Sequence, residues 1–387
     1  MTLSSALSEI LQNRPLEEKA PLGYYVRAWN NSVCVEQYFL TQQPRRHLSR
    51  RRIPVTLSPT KEAPTSNLAL DLVRVTEAAA LASARWLGRG DKEAGDKAAV
   101  DAMRLSFNSL NIKGTVIIGE GEKDEAPMLF NGEKVGAGQG PALDIAVDPV
   151  EGTNLLAYGR PNAICVVGAA PAGTMYNPGP SFYMRKLVVP VAAQNVVDLD
   201  APVAETLKKV AKALGKDIDD LVVFVLDKPR HQRLIQSIRE VGARIQMHSD
   251  GDVCGALMAV DPRSDVDMMI GTGGTPEGVL AACAIKGMGG QIFARLDPQT
   301  YVEKEAIQEA GIDVRDTLTT DTLVKSDEVF FAATGISGGT FLRGVKYSGN
   351  GAITHSMVIR SKTGSMRYIE AHHNWSKLMK ISSVEYD

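Results

Sequence analysis

The residues with the clearest chemical potential are acids placed where the chain must turn. In Leu143-Asp144-Ile145-Ala146-Val147-Asp148-Pro149-Val150-Glu151-Gly152-Thr153 a short apolar run meets a proline, and a carboxylate and a hydroxyl follow at once. Two carboxylates, turn carbonyls and a hydroxyl are what a hard divalent cation prefers. A second acidic group, Gly119-Glu120-Gly121-Glu122-Lys123-Asp124-Glu125, follows the apolar run Thr115–Ile118. A third acid, Asp96, lies one helical turn before Val100, either facing a cation or standing at an exposed helix start. Taken singly, each group has a plain reading as an Asp-Pro turn, a solvated charge run or a helix-start acid. Together, three acidic groups at element ends point to two cations a few Å apart, which need several bridging carboxylates. The lack of a histidine-rich constellation favours Mg²⁺ or Mn²⁺ over zinc.

Two further loops carry charge or free amides. Lys228 and Arg230 flank Pro229 at the end of an apolar run, which suits gripping a phosphate and suits surface charges equally. Gly271-Thr272-Gly273-Gly274-Thr275-Pro276-Glu277-Gly278 offers backbone N–H groups at a helix start, a ready anion site. It matches neither a phosphate-loop nor a dinucleotide fingerprint. Glu277 falls in that helix's first turn, where an acid is common for dipole reasons and where it would also add a carboxylate to a metal site.

The elements that must position these residues follow from periodicity. Ile145 and Val147 alternate with Ala146 in a strand that Pro149 should stop, and Asp144 and Asp148 share one face. Leu68 to Trp86 and Lys92 to about Leu110 carry helical spacing, with Ser66 or Asn67 as a cap and Gly88 as a stop. Beyond them strands alternate with helices: 164–167, 186–191, 221–226, 244–247 and 266–270 read as strands. Helices are expected to end at Gly215, at Gly242 and near Ile285. This order is that of a layered α/β fold with ligand loops at strand ends. The expected division is an extension at 1–65, a metal-binding subdomain at 66–215, a sugar-phosphate-binding subdomain at 216–345 and C-terminal strands with a tail at 346–387.

Composition narrows the function classes. With 387 residues, 44% apolar and 23% charged, the chain suits two α/β subdomains sharing a core. A net charge of -2 argues against nucleic-acid or membrane-surface binding. No stretch approaches the roughly 18 uninterrupted apolar residues of a membrane helix. Cys34, Cys165, Cys254 and Cys283 are far apart and read as reduced core thiols in a cytoplasmic setting. The arginines at 45, 46, 50, 51 and 52 precede a Pro-, Ser- and Thr-rich run. A plastid-targeting peptide is one reading of this extension, against which its acids speak; a poorly ordered segment without chemistry is the preferred one.

From about residue 66 to about 375 the chain resembles the class II fructose-1,6-bisphosphatases, above all the cyanobacterial kind that also acts on sedoheptulose 1,7-bisphosphate. The resemblance rests on Asp148-Pro149-Val150-Glu151-Gly152-Thr153, the hallmark turn of lithium-sensitive, metal-dependent sugar phosphatases. It extends to Gly119-Glu120-Gly121-Glu122, Asp124-Glu125-Ala126-Pro127, Lys228-Pro229-Arg230-His231, Asp250-Gly251-Asp252 and the loop 271–278. It implies that Asp96 and Glu120 hold one Mn²⁺ or Mg²⁺, and Asp148, Glu151 and Glu277 another. Thr153 would help position the attacking water, and Asp124 would help deprotonate it. Glu151, Gly152, Thr153, Tyr183, Lys228, Pro229, Arg230, Asp250, Gly251, Asp252 and Gly274 would meet the sugar and its phosphates. The implied enzyme is a cytoplasmic homo-oligomer, tetramer or dimer, releasing the 1-phosphate of fructose 1,6-bisphosphate in gluconeogenesis and the Calvin cycle. The chain departs from the family pattern over its first 65 residues, at Pro190–Asn195 and after Asn374. An inositol- or nucleotide-phosphate phosphatase of the same superfamily would keep the hallmark turn without needing the Lys-Pro-Arg and Asp-Gly-Asp loops. A non-catalytic sugar-phosphate sensor would be expected to lack a metal carboxylate or Thr153.

Overall fold

A computed structural model describes residues 68–121, 128–380 and Val384, together with the backbone of two strands near the N-terminus. Those strands, β1 (Tyr24–Trp29) and β2 (Ser32–Gln37), pair antiparallel. They belong to a unit of their own, residues 1–63, where no element was expected from sequence. The rest of the expected extension lies outside the described residues, as do the proposed caps Ser66 and Asn67.

Residues 64–387 form the second unit. Its strands are β3 (Lys113–Ile118), β4 (Lys134–Val135), β5 (Ala142–Glu151), β6 (Ile164–Pro171), β7 (Tyr183–Val189), β8 (Val222–Leu226), β9 (Arg244–His248), β10 (Met268–Gly274), β11 (Gln291–Leu296), β12 (Leu318–Thr319), β13 (Phe330–Gly335), β14 (Lys346–Ser348), β15 (Gly351–Arg360) and β16 (Ser365–Asn374). One sheet runs β14-β15-β13-β6-β5-β3-β4, with β16 also along β15; the other runs β12-β11-β7-β10-β8-β9. β3 and β5 are parallel, as are β10, β8 and β9. The chain changes sheet between Pro171 and Tyr183 and returns at Phe330. A division by sheet would set 68–171 and 330–374 against 183–319, which differs from the boundaries at 215/216 and 345/346 expected from sequence.

Helix composition explains the layering. Helices Asp252–Val260 and Thr275–Met288 are apolar nearly all round, and their buried residues join a cluster with Ile118, Ala146 and Val166 of the first sheet and Met184 and Val188 of the second. A helix with no polar face needs cover on every side, and two sheets supply it. Helices Leu68–Ser83 and Lys92–Phe107 pack on the outer face of the first sheet, in a cluster with Ile145, Val147 and Val167. The amphipathic helices Val203–Leu214 and Gln232–Val241 cover the outer face of the second with Leu207, Val210, Ile235 and Ile238. Both stop where expected, at Gly215 and Gly242 in the left-handed conformation. The mixed α/β architecture is therefore the one the element order implies. Among the described residues no helix is long and apolar enough to cross a membrane.

The strand β5 departs from expectation. Pro149 does not end it: pairing with β6 is interrupted after Asp148 and resumes at Glu151, opposite Ile164. The irregularity lets proline sit where no ladder hydrogen bond is needed. Asp144, on the same strand face as Asp148, pairs with no cationic side chain among the described residues; its Oδ2 accepts hydrogen bonds from the Thr174 and Met175 N–H groups at 2.9 and 3.0 Å. Its burial is accounted for by backbone donors.

Candidate active site

The carboxyl ends of β3, β5, β8, β9 and β10 deliver their loops to one cavity of about 510 Å³. Its wall includes Asp96, Glu120, Asp148, Glu151, Gly152, Thr153, Tyr183, Lys228, Arg230, Asp250, Gly251, Asp252, Gly274 and Glu277. Each side chain is placed by a local cause. Asp91 caps the helix Lys92–Phe107 by accepting from the Ala94 N–H at 3.0 Å, which sets Asp96 in the second turn. Gly152, at φ 88°, turns β5 into the short helix Thr153–Ala157 so that Glu151 and Thr153 stay beside Asp148. Gly274 lets the Glu277 carboxylate come close: a Cβ there would lie 1.7 Å from Glu277 Oε2, so that carboxylate would have to shift.

Asp148, Glu151 and Glu277 bring oxygens within 4.8 Å of one another. Glu151 Oε1 accepts from the Val253 N–H at 2.8 Å and Asp148 Oδ1 from the Val150 N–H at 3.0 Å. Glu277 Oε2 is buried with no hydrogen-bond partner among the described residues. Burial pushes Glu151 up to about 8, with the charges of Asp252 and Glu277 adding to it. Burial likewise lifts Glu120 to about 8, helped by the charges of Asp96 and Glu277. Asp148 is driven well above the carboxylate range by burial and then by Glu151, Glu120 and Glu277. Such crowding of like charges is costly unless cations share the site. An all-oxygen donor set with an orphaned buried oxygen fits a hard divalent cation.

Basic residues also line the cavity. Lys228 Nζ bonds Asp250 at 2.6 Å, and Arg230 lies over the Tyr183 ring, 5.1 Å from its centroid, while its Nε donates to the Thr272 carbonyl at 2.9 Å. His231 Nε2 accepts from the Thr272 N–H at 2.8 Å, so the proton is on Nδ1, which donates to the Leu226 carbonyl at 2.7 Å. This ring ties the end of β8 to the end of β10. Pro229 is exposed and off the cavity wall; it opens the turn Pro229–His231 that carries Lys228 and Arg230 apart. Asp124 lies outside the described residues.

Comparison with known proteins matches this scaffold to one family. The profile described as bacterial fructose-1,6-bisphosphatase, glpX-encoded, matches residues 66–373. The chain belongs to that family. A class 2 fructose-1,6-bisphosphatase of Haemophilus influenzae is 43% identical over 330 residues, covering 82% of this chain and 99% of the relative. Fructose-1,6-bisphosphatase 1 class 2 of Escherichia coli K12 is 44% identical over 319 residues, covering 79% and 95%. Members of this family are phosphoric monoester hydrolases that depend on divalent metal, and the acidic cluster of this chain provides the donors.

One residue behind the wall of this site escaped the sequence reading. Lys186 on β7 is 1% exposed, and its Nζ lies 2.5 Å from Asp252 Oδ2. The signal was present: alternation puts Lys186 on the same strand face as Met184 and Val188, both fully buried. A lysine on an apolar strand face needs a carboxylate partner.

Proposed function

We propose that this protein hydrolyses fructose 1,6-bisphosphate at C1, yielding fructose 6-phosphate and phosphate with Mn²⁺ or Mg²⁺. The observation that carries the reading is one cavity lined both by an acidic cluster and by Lys228 and Arg230, in a chain of this family. Asp96 and Glu120 would hold one cation, and Asp148, Glu151 and Glu277 the other. Bound there, divalent cations supply positive charge beside the phosphoryl oxygens and make water a better nucleophile. Thr153 orients the water and contacts the departing phosphate; Asp124 accepts a proton from the water. Lys228 and Arg230 anchor the 6-phosphate, and Tyr183, Asp250, Asp252 and Gly274 hold the sugar, so that the 1-phosphate is fixed for in-line attack. Sedoheptulose 1,7-bisphosphate is the proposed second substrate, the lithium-sensitive phosphatases the proposed superfamily, and a homo-oligomer, tetramer or dimer, the proposed assembly.

The test is phosphate release from a panel of sugar bisphosphates and monophosphates with each metal. Preference for fructose 1,6-bisphosphate over inositol phosphates and nucleotides supports the assignment. Release from monophosphates as fast as from bisphosphates would remove the anchoring role of Lys228 and Arg230.

A further inference from the structure

Lys186 sits behind the active-site wall rather than in it. Its strand β7 is paired on both sides, Lys186 opposite Gly271 of β10 and Ala294 of β11, so its backbone has no freedom to withdraw the side chain. The ammonium lies beside two glycines. A Cβ at Gly273 would stand 3.3 Å from Nζ and 1.9 Å from Asp252 Oδ2; at Gly278 the close neighbour is Met184 Sδ, 2.4 Å away, with Lys186 Cε at an ordinary 3.4 Å. Space has therefore been left for a buried Lys186–Asp252 pair at the point where β10 runs into the helix Thr275–Met288. Such a pair is not an economical source of stability, because desolvation of both charges offsets most of the attraction. Its position suggests a different use. Asp252 lines the cavity, and its charge bears directly on Glu151 and Glu277, while the Lys186 charge opposes that effect at Glu277.

We propose that Lys186 is a positioning residue that acts as the built-in counter-ion of the acidic cage. It binds one oxygen of Asp252 and so commits that carboxylate to the sugar, keeping it from becoming a further ligand of the divalent cations. The cage can then hold its cations weakly enough to be matched to the substrate's own charge. The sugar-contact half of this inference rests on the function proposed above; the cation half needs only the carboxylate cage.

The experiment is a calorimetric Mn²⁺ titration of substrate-free protein, alongside steady-state kinetics on fructose 1,6-bisphosphate. Lys186→Met should bind Mn²⁺ about fivefold or more tighter, since a fixed positive charge is lost and a carboxylate freed. Its KM should rise about tenfold, more than its kcat falls, as expected when ground-state binding is lost. Adding Asp252→Asn should return Mn²⁺ affinity to about the wild-type value while KM stays high. A merely structural Lys186 would instead give a lower melting temperature with weakened Mn²⁺ binding, and that result overturns the proposal. If Lys186→Met does not fold, the decisive pair is Asp252→Asn against Lys186→Met/Asp252→Asn. The single variant, with its unpaired ammonium, should bind Mn²⁺ about fivefold more weakly than the double, and equal affinities overturn the proposal. Should the wild-type enzyme fail to hydrolyse fructose 1,6-bisphosphate, the substrate assignment falls, and the Mn²⁺ titrations still decide the role of Lys186.

Discussion

Glu120 and Thr153 can each be changed with little effect on packing and a large effect on charge or hydrogen bonding. Glu120 lines the cavity beside Asp96 and Glu277, and Glu120→Gln removes one negative ligand at nearly constant volume. Thr153→Ala removes the hydroxyl next to Gly152 and leaves the short helix it starts. Each variant should lower turnover by about two to three orders of magnitude, the range for losing one transition-state contact. Circular dichroism and melting should stay near wild type, and wild-type-like turnover in either variant would remove that residue from the mechanism. At this scale the acids were legible because Asp-Pro turns and Gly-Glu runs announce themselves in one dimension. What meets Asp144 was not legible, since sequence cannot show that the Thr174 and Met175 N–H groups reach it. Lys186 was missed for the mirror reason: its partner Asp252 is 66 residues away, at the start of the helix Asp252–Val260.

At the scale of elements, two contacts between segments deserve a measurement. His231 is the strut between β8 and β10, and His231→Ala forfeits both of its hydrogen bonds while stranding the Thr272 N–H. That should cost about 1–3 kcal/mol in urea unfolding and raise KM more than it lowers kcat, because Arg230 loses its fixed seat. An unchanged KM would show that the loop holds its shape without the ring. The second contact joins the helix Leu68–Ser83 to β15, where Thr354 Oγ1 donates to Glu77 Oε1 at 3.3 Å and also contacts His373 Nε2 at 2.8 Å. Burial pushes Glu77 from 4.5 up to about 7, while Thr354 and the Arg74 charge pull the other way. The folded state therefore keeps a proton that the unfolded chain releases near 4.5. Between these two values folding binds the extra proton, so this group's stabilising effect is lost as pH rises toward 7. Glu77→Gln imitates the protonated form; relative to wild type it should gain about 2 kcal/mol between about pH 5 and pH 7.5. A pH-independent difference in urea unfolding would place Glu77 in solvent. Element ends were legible where glycine fixed them, as at Gly215 and Gly242. The continuation of β5 past Pro149 was not, because a bulge depends on the neighbouring strand.

At the scale of the molecule, alternating strands and helices announced a layered α/β protein, but the exchange of β13–β16 back to the first sheet is a long-range pairing that local pattern cannot reveal. The N-terminal hairpin, by contrast, is a local pairing that the sequence pattern did not bring out. The consequence worth testing is the independence of the catalytic unit. The family match starts at residue 66, the cavity wall is drawn from Asp96 to Leu280, and the hydrophobic clusters described for 64–387 are filled from Leu68 onward. By contacts, residues 1–63 separate from the remainder. A segment that precedes the family match and separates from the remainder by contacts should be dispensable for both chemistry and folding. Deleting residues 1–60 should leave turnover on fructose 1,6-bisphosphate nearly unchanged and shift the melting temperature by no more than a few degrees. If the truncated chain is soluble but inactive, the arginines at 45–52 or the hairpin must act on the site, and if it does not fold, the extension completes a core that the layers alone do not close.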